Sequence, residues 1–465
     1  LYINEIRLDI DLWDLYKNIK EVTSFILDSS LYDIELGRYT FMGLNPDVVF
    51  RSKGNKLEYF EKGTKTAWEG DPLDALNNIV KNISHTTENL TCPFPFKGGL
   101  VGYISYDLKN QIEKLPQTAE DDLNLYDQYW GIYYSFLVKD HTTKKTYIVS
   151  YDKKKADTLL KKINQFNIKT NSNYWCYIGD LKSNFTRDDY IKAVKQAKEH
   201  IRIGDIYQVN LSQRFSFDIE GSSKLFYDFL RKTSPSYFGT FLNFSEYSIM
   251  SISPERFIKT TENTIETRPI KGTRGRGENY NEDSKIKKEL VNSKKDRAEL
   301  LMIVDLMRND IGKITQPGTV KVYDLFKVST YATLFHLDAI VTGTLKPENN
   351  NYKDILKATF PGGSITGAPK IKSMEIIDEL EPTTRGVYTG SIGYIGFNQE
   401  CDLNIAIRTA VIKNGKGYYY AGGGIVSDSN PDLEYEETWV KTKALVKAKE
   451  EANKSANMAK WNISR

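Results

Sequence analysis

The chain predicts an α+β fold: a mixed sandwich in which strand-rich blocks alternate with helix pairs, without a regular βαβ repeat. Three observations support it. Alternating apolar runs such as 100–106 and 207–211 occur in both halves. Segments with apolar residues at helical spacing separate them, and clusters of Gly, Pro and Asn mark the turns. With 465 residues the chain suffices for two or three ordinary domains or for one with a large core.

Taken in order, residues 9–22 place Leu12, Leu15, Tyr16 and Ile19 on one helical face. The turn 93–99 opens a strand over 100–106, and 129–139 and 146–151 read as two paired strands around His141. Residues 164–183 are polar, Asn-rich and weakly periodic, so the expected organisation is 1–165, a linker at 166–185, and 186–452. Thr186, with Asp189 three residues on, starts a helix. Strand-rich stretches at 247–260 and 264–268 follow, then a long charged helix over 283–307. The Gly-rich turn 360–370 leads into a helix over 371–380. Strands over 387–397, 402–412 and 417–422 and a helix over 433–452 complete the chain.

Composition excludes several classes. A hydrophobic fraction of 40% and a charged fraction of 27% are those of a soluble globular protein. Lys+Arg 64 against Asp+Glu 61 argues against a nucleic-acid binder. No apolar run approaches a membrane span, and charges at Glu5 and Arg7 come too early for a signal peptide. Cys92, Cys176 and Cys401 lie far apart with no CxxC, which predicts neither a disulfide framework nor zinc and suits a reducing cytoplasm.

The chemistry concentrates near Thr267-Arg268-Pro269-Ile270-Lys271-Gly272-Thr273-Arg274-Gly275-Arg276-Gly277. Two readings stand open: a solvated basic loop, or an anion cradle in which neighbouring cations depress the pKa of Lys271 and make it a nucleophile. Asp296 with Glu299, and Glu434 with Glu437, place acidic pairs at i, i+3 on two helices. They are either solvated faces or, if the faces meet, an all-oxygen site for Mg²⁺. His336 in an apolar run is a core histidine or a functional one. Gly363 to Lys370 lacks the Gly-Lys-Ser/Thr ending of a phosphate loop but can still bind carboxylate, as can the backbone donors of 421–426. With Arg308, Arg408 and Lys441, these features suggest a small substrate bearing more than one carboxylate.

At these residues the sequence resembles the chorismate-utilising enzymes, the anthranilate synthase component I family. The matching stretches are 252–257, 268–274, 296–312, 361–370 and 421–428, and the likeness is most specific over 186–444. The resemblance implies a large sandwich of two stacked antiparallel sheets with flanking helices. It implies an Mg²⁺ enzyme with Glu299, Glu434 and Glu437 at the metal and Asp296 nearby. Thr273, Ser364, Tyr388, Arg408, Gly422, Gly424 and Lys441 would hold chorismate, with Tyr394 competing with Tyr388. Glu255 would be the general acid/base, and His336 would act near the departing C4 hydroxyl.

Two positions separate the branches. Water-adding members carry a lysine base where this chain has Gln208, and most other branches carry a small residue where it has Lys271. The combination implies the branch that forms 4-amino-4-deoxychorismate for p-aminobenzoate and folate, with Lys271 attacking C2 of chorismate. Ammonia would come from glutamine through a separate amidotransferase subunit. The rivals are an anthranilate synthase component I and a non-catalytic binding subunit. The first half resembles the family's tryptophan-binding region at 26–30 and 93–107. Asp28 stands there in place of the usual Glu, so a tryptophan pocket is an implication and feedback inhibition is not.

Overall fold

Two large antiparallel sheets organise the chain, and each draws strands from both of its halves. The computed structural model describes residues 1–463 except 9, 86–91, 167–174 and 331–333. The first sheet runs from Tyr2–Ile6 through Lys145–Ser150, Ser135–Asp140, Tyr39–Leu44 and Ser24–Asp28. It continues through Phe238–Asn243, Tyr247–Ser253, Thr409–Lys413 and Lys416–Ile425 to Gln208–Gly221. The second runs from Ile270–Gly275 and Leu334–Thr344 through Thr264–Arg268, Arg256–Thr261, Cys401–Asn404 and Ser391–Gly396. It ends with Gly99–Ile104, Gln128–Tyr133, Val48–Lys53 and the hairpin Lys56–Glu61/Thr64–Glu69. The halves join where Gly239 pairs with Asp28 and where Gly396 pairs with Gly99.

The core explains the layering. Phe25, Phe41 and Phe136 of the first sheet meet Tyr103, Tyr133 and Tyr394 of the second in an aromatic layer between the sheets. The outer face of the first sheet packs on Leu12, Trp13, Phe226 and Leu445 from helices. Leu76, Ile303, Leu356 and Met374 cover the second from the other side. Each fully buried side chain of this kind contributes about 1.5–3 kcal/mol, so the order helix, sheet, sheet, helix leaves neither sheet with a bare apolar face.

Several elements differ from their sequence readings. Thr186 caps its helix as expected, accepting the Asp189 amide at 3.2 Å. The 9–22 helix is shorter, Leu12–Lys17, and Asp9 lies outside the described residues. The 283–307 helix is two, Tyr280–Asn292 and Lys294–Gly312, because the extended Ser293 caps the second. The last helix likewise divides at Thr442. Within the stretch read as a linker, Cys176–Ile178 and Lys182–Ser183 pair with Gln208–Gly221, while 167–174 lie outside the described residues.

The most consequential differences are two strands that change sheet. The run 247–260 breaks at Pro254-Glu255, where the chain leaves the first sheet for the second. The run 402–412 breaks at 405–408, where it returns. Pro254 cannot donate a ladder hydrogen bond, which favours a break there. Local alternation reads as extended on both sides and does not reveal the change of sheet.

Candidate active site

The two crossings lie side by side. The Ile405 amide donates to the Glu255 carbonyl at 3.0 Å, and the Ile252 amide to the Arg408 carbonyl at 3.1 Å. The Ser253 hydroxyl donates to the Ile405 carbonyl at 2.6 Å. Arg408 has φ +50°, a left-handed conformation that a non-glycine residue adopts only when its surroundings enforce it. The crossings thus place Glu255 and Arg408 at the junction of the sheets. Glu255 is 5% exposed. Burial pushes its carboxyl up to about 7, against a Ser364 hydrogen bond, the charge of Lys271, the Ile270 amide and Arg408.

Lys271 reaches this junction from the strand Ile270–Gly275, which pairs with Leu334–Thr344 and slips register between Lys271 and Thr273. Gly272, at φ +68°, forms the irregularity, and a Cβ there would approach Asp296 to 3.0 Å. Such a bulge re-aims the adjoining side chain. The Lys271 Nζ donates to the Ser364 carbonyl at 3.2 Å. Its pKa is lowered, first by burial and further by Lys441, against the carboxylates of Glu299, Glu255 and Glu437.

This corrects the anion-cradle reading of the basic stretch. Arg274 is paired with Asp296 at 2.7 Å, Arg276 Nε with Asp283 at 2.9 Å, and Arg268 Nε with Glu266 at 2.6 Å. Three guanidiniums committed to carboxylates neither cradle an anion nor depress the lysine. Burial does. Arg308 is likewise no part of the site: it is exposed on its helix and pairs with Asp305 at 3.2 Å.

His336 lies across from Thr273, whose hydroxyl is 2.8 Å from Nδ1. Burial, reinforced by the charge of Arg408, drives its pKa down to about 3 although the Gly272 backbone opposes this. The imidazole is therefore neutral near pH 7 and serves as a hydrogen-bonding group. Thr333, at the start of the apolar run around His336, lies outside the described residues. Ser364 is buried in the short turn Gly363–Ile365. Tyr388 is buried and stacks on Tyr420 with centroids 5.0 Å apart. Tyr394 instead belongs to the aromatic layer between the sheets, 5.0 Å from Phe96.

The acidic residues divide. Asp296 turns to Arg274, whereas Glu299, one turn on, faces Lys271 and Glu437. Glu434 accepts from the Ser429 hydroxyl at 2.6 Å, and Glu437 is 2.7 Å from Lys441, whose Nζ also donates to the Gly422 carbonyl at 2.7 Å. Burial raises the pKa of Glu299 and of Glu434, and like-charge neighbours raise both further. For Glu437 burial also acts upward, but Lys441 prevails and its pKa is lowered. A Cβ on Gly423 would come within 3.3 Å of Glu434 and 3.4 Å of Glu437, so a side chain there would crowd both carboxylates. Among the described residues no three His, Cys, Asp or Glu side chains form a ready-made metal cage. The donors are all oxygen and come from different helices, which suits Mg²⁺, an ion commonly held by one or two carboxylates plus water and substrate oxygens.

Two features were not singled out as site-forming from sequence. Lys295 stands 4.0 Å from Glu299, and its only sequence signal is i, i+4 spacing. Gln208 was read as a branch marker. Its carboxamide is fully buried beside Gly424, with neither Nε2 nor Oε1 hydrogen-bonded, and Asn210 Nδ2 is similarly unpartnered. A separate cavity of about 630 Å³ lies between the sheets, away from Lys271, and Ser29, Phe41, Phe94, Thr240, Tyr394 and Asn404 are among its lining residues.

The sheet crossings bring the buried Lys271 and Glu255 to one place with the carboxylates of the acidic helices, and comparison with known proteins gives the family of the chain. The family of chorismate binding enzymes matches residues 24–447, and the chain belongs to that family. It is 40% identical to aminodeoxychorismate synthase component 1 of Escherichia coli strain K12 over 91% of this chain and 92% of that protein. It is 37% identical to anthranilate synthase component 1 of Aquifex aeolicus strain VF5 over 95% of this chain and 92% of that protein. The crystal structure of anthranilate synthase component I from Streptococcus pneumoniae TIGR4 superposes with a TM-score of 0.79 at 32% identity, covering 90% of this chain and 93% of that one. The sandwich of two antiparallel sheets is the fold of that family. Among the described residues no helix is long and apolar enough to cross a membrane.

Proposed function

We propose that the protein converts chorismate and ammonia to 4-amino-4-deoxychorismate, with ammonia delivered by a separate glutamine amidotransferase subunit. The observation that carries this reading is the pairing of Lys271, an amine with a depressed pKa, with Glu255, a buried carboxyl whose pKa is about 7. Glu255 can supply a proton near neutral pH, and the lowered pKa of Lys271 eases loss of the proton that its attack requires.

Lys271 Nζ, once deprotonated, attacks C2 of chorismate as the two conjugated ring double bonds shift and the C4 hydroxyl leaves. Glu255 gives its proton to that hydroxyl, which departs as water. Ammonia then adds at C4, both double bonds return to their original places, and the C2–Nζ bond breaks. The surplus proton of ammonia passes to the Glu255 carboxylate. The sum is chorismate plus ammonia giving aminodeoxychorismate plus water. Two displacements replace one difficult exchange, which is the logic of covalent catalysis. Neutral His336, oriented by Thr273, hydrogen-bonds near C4, while Ser364, Tyr388, Arg408, Lys441 and the backbone of Gly422 and Gly424 hold the carboxylates and ring. Mg²⁺ held by Glu299, Glu434 and Glu437 would neutralise a substrate carboxylate. Gln208, where water-adding relatives have a base, cannot deprotonate water, which favours ammonia as nucleophile.

The cavity between the sheets supports a second binding role. Its aromatic walls, with Ser29, Thr240 and Asn404 among them, suit an amino acid with a large ring, and we assign it to tryptophan. The buried free thiols Cys176 and Cys401 accord with a cytoplasmic location.

Incubation with chorismate, ammonium and Mg²⁺, followed by product mass, tests the main reading. Aminodeoxychorismate is expected. Anthranilate would replace it with the rival activity, and no consumption of chorismate would favour a binding subunit.

A further inference from the structure

One buried guanidinium outside the proposed machinery touches several of the segments that build it. Arg385 is 2% exposed. Its Nε and Nη2 donate to Glu381 at 2.8 and 2.6 Å. The remaining donors go to backbone and side-chain groups of the site: Nη2 to the Asn210 carbonyl at 2.6 Å, Nη1 to the Ile365 carbonyl at 3.0 Å and to the Thr389 hydroxyl at 3.3 Å. Ile365 follows Ser364, whose carbonyl accepts from Lys271. Asn210 is two residues from Gln208 and pairs with Gly424. Thr389 follows Tyr388, and its amide donates to Ala406 in the crossing that ends at Arg408.

Two further observations point to positioning. Glu381 is itself held by the Ser212 amide and hydroxyl, both at 2.8 Å, so the ion pair is anchored to the same strand it braces. Thr389 is fully buried at φ +60°, a genuine outlier for a β-branched residue, and its hydroxyl is one of Arg385's acceptors. Such strain persists where the surroundings over-determine the backbone, and it clusters at functional sites. Lysine could keep the charge beside Glu381 but could not reproduce a planar fork with five donors.

We propose that Arg385 is a positioning residue that sets the Ser364 turn, the Gln208–Asn210 strand and the Tyr388–Thr389 segment relative to one another, and so shapes the chorismate subsite. The kinetic half of this rests on the function proposed above; the structural half does not.

The test compares Arg385→Lys with Arg231→Lys, which disturbs the Arg231–Asp28 pair (2.6 Å) at a distance from the site. Amide exchange is measured over 362–368 and 208–212, and kcat and KM for chorismate are measured with ammonium and Mg²⁺. Arg385→Lys is expected to speed exchange in both segments at least tenfold and to lower kcat/KM about 10- to 100-fold, with a raised KM. A merely structural role would reduce the active fraction, lowering kcat while KM stays put. Arg231→Lys should leave exchange in both segments and KM near wild type. Glu381→Gln keeps the shape of the pair and weakens its charge; it is expected to move both readouts the same way, and it decides if the lysine variant does not fold. Unchanged exchange in the two segments, or faster exchange with a wild-type KM, overturns the proposal. A wild-type protein that leaves chorismate untouched sinks the functional reading, and unchanged exchange would still refute Arg385 as the brace.

Discussion

The cavity between the sheets and the site around Lys271 occupy the same sandwich and are built on opposite principles. The cavity is a preformed container. Part of its wall is the aromatic core, through Phe41, Phe94 and Tyr394, and Arg268, which also lines it, is already paired with Glu266. Among the described residues, no side chain lining it has a buried polar atom without a hydrogen bond. The Lys271 site is chemically unfinished by comparison. The Gln208 carboxamide and Asn210 Nδ2 are buried without partners, Glu255 and Lys271 hold shifted pKa values, and Arg408 and Thr389 adopt left-handed backbone conformations. Buried polar groups are costly to leave unpaired, by about 1–3 kcal/mol each. A protein keeps such groups where a substrate completes them, and keeps a container with a satisfied lining where it needs only to bind.

The largest effect that could break this contrast is at Lys271. Lys271→Ala is expected to lower aminodeoxychorismate formation by about 10³-fold or more, as loss of a nucleophile does, read as initial rate by product mass. Replacing a neighbouring arginine should do little. Arg274→Ala removes a half-exposed ion pair worth no more than about 1 kcal/mol, checked by denaturant midpoint.

Glu255→Gln comes next, with an expected loss of about 10²- to 10⁴-fold. The pH profile adds a sign. Glu255 must be protonated to assist departure of the hydroxyl, and its folded pKa is about 7, so kcat/KM should fall as pH rises beyond that value. Lys271 must be neutral, which gives the fall on the acid side. The two flanks belong to the coupled pair. In Glu255→Gln the alkaline fall should vanish; if it persists in the residual activity, another group carries that proton.

A smaller effect is expected at the acidic helices. Glu437→Gln should raise the Mg²⁺ concentration needed for half-maximal rate about 10- to 100-fold, while Asp296→Asn, at a residue turned to Arg274, should leave that titration where it is. An unaltered titration for Glu437→Gln would remove that residue from the metal site. The smallest effect concerns the container. Tryptophan at about 100 times its dissociation constant should stabilise the fold by about 2.7 kcal/mol, seen as a higher Tm. No shift at saturating tryptophan would leave the cavity to another ligand.

How much of this was legible in the sequence depends on range. The Thr186 cap and the Leu12 face were readable because hydrogen bonds and periodicity act within a turn or two. Lys271, Glu255 and the acidic pairs were recognisable through motifs that resemble a family. The sheet changes at Pro254-Glu255 and at 405–408 were not, since alternation continues through both and only tertiary pairing decides which sheet a strand joins. The fate of the arginines was hidden for the same reason. Their clustering suggested a cation field, while the carboxylates that neutralise them stand on other elements, Asp296 at the start of one helix and Asp283 in the first turn of another. Asp296 and Glu299 share a helix but face different partners, a divergence that i, i+3 spacing alone does not predict.

The central claim is that Lys271 forms a bond to substrate. Chorismate and Mg²⁺ without ammonia should let the first displacement run and stop there, and peptide mass analysis of the quenched protein should find an adduct on Lys271 with the mass of chorismate less water. Adding ammonium before the quench should discharge it. Continued formation of aminodeoxychorismate by Lys271→Ala at the wild-type rate, with no adduct on the wild-type lysine, would contradict the account.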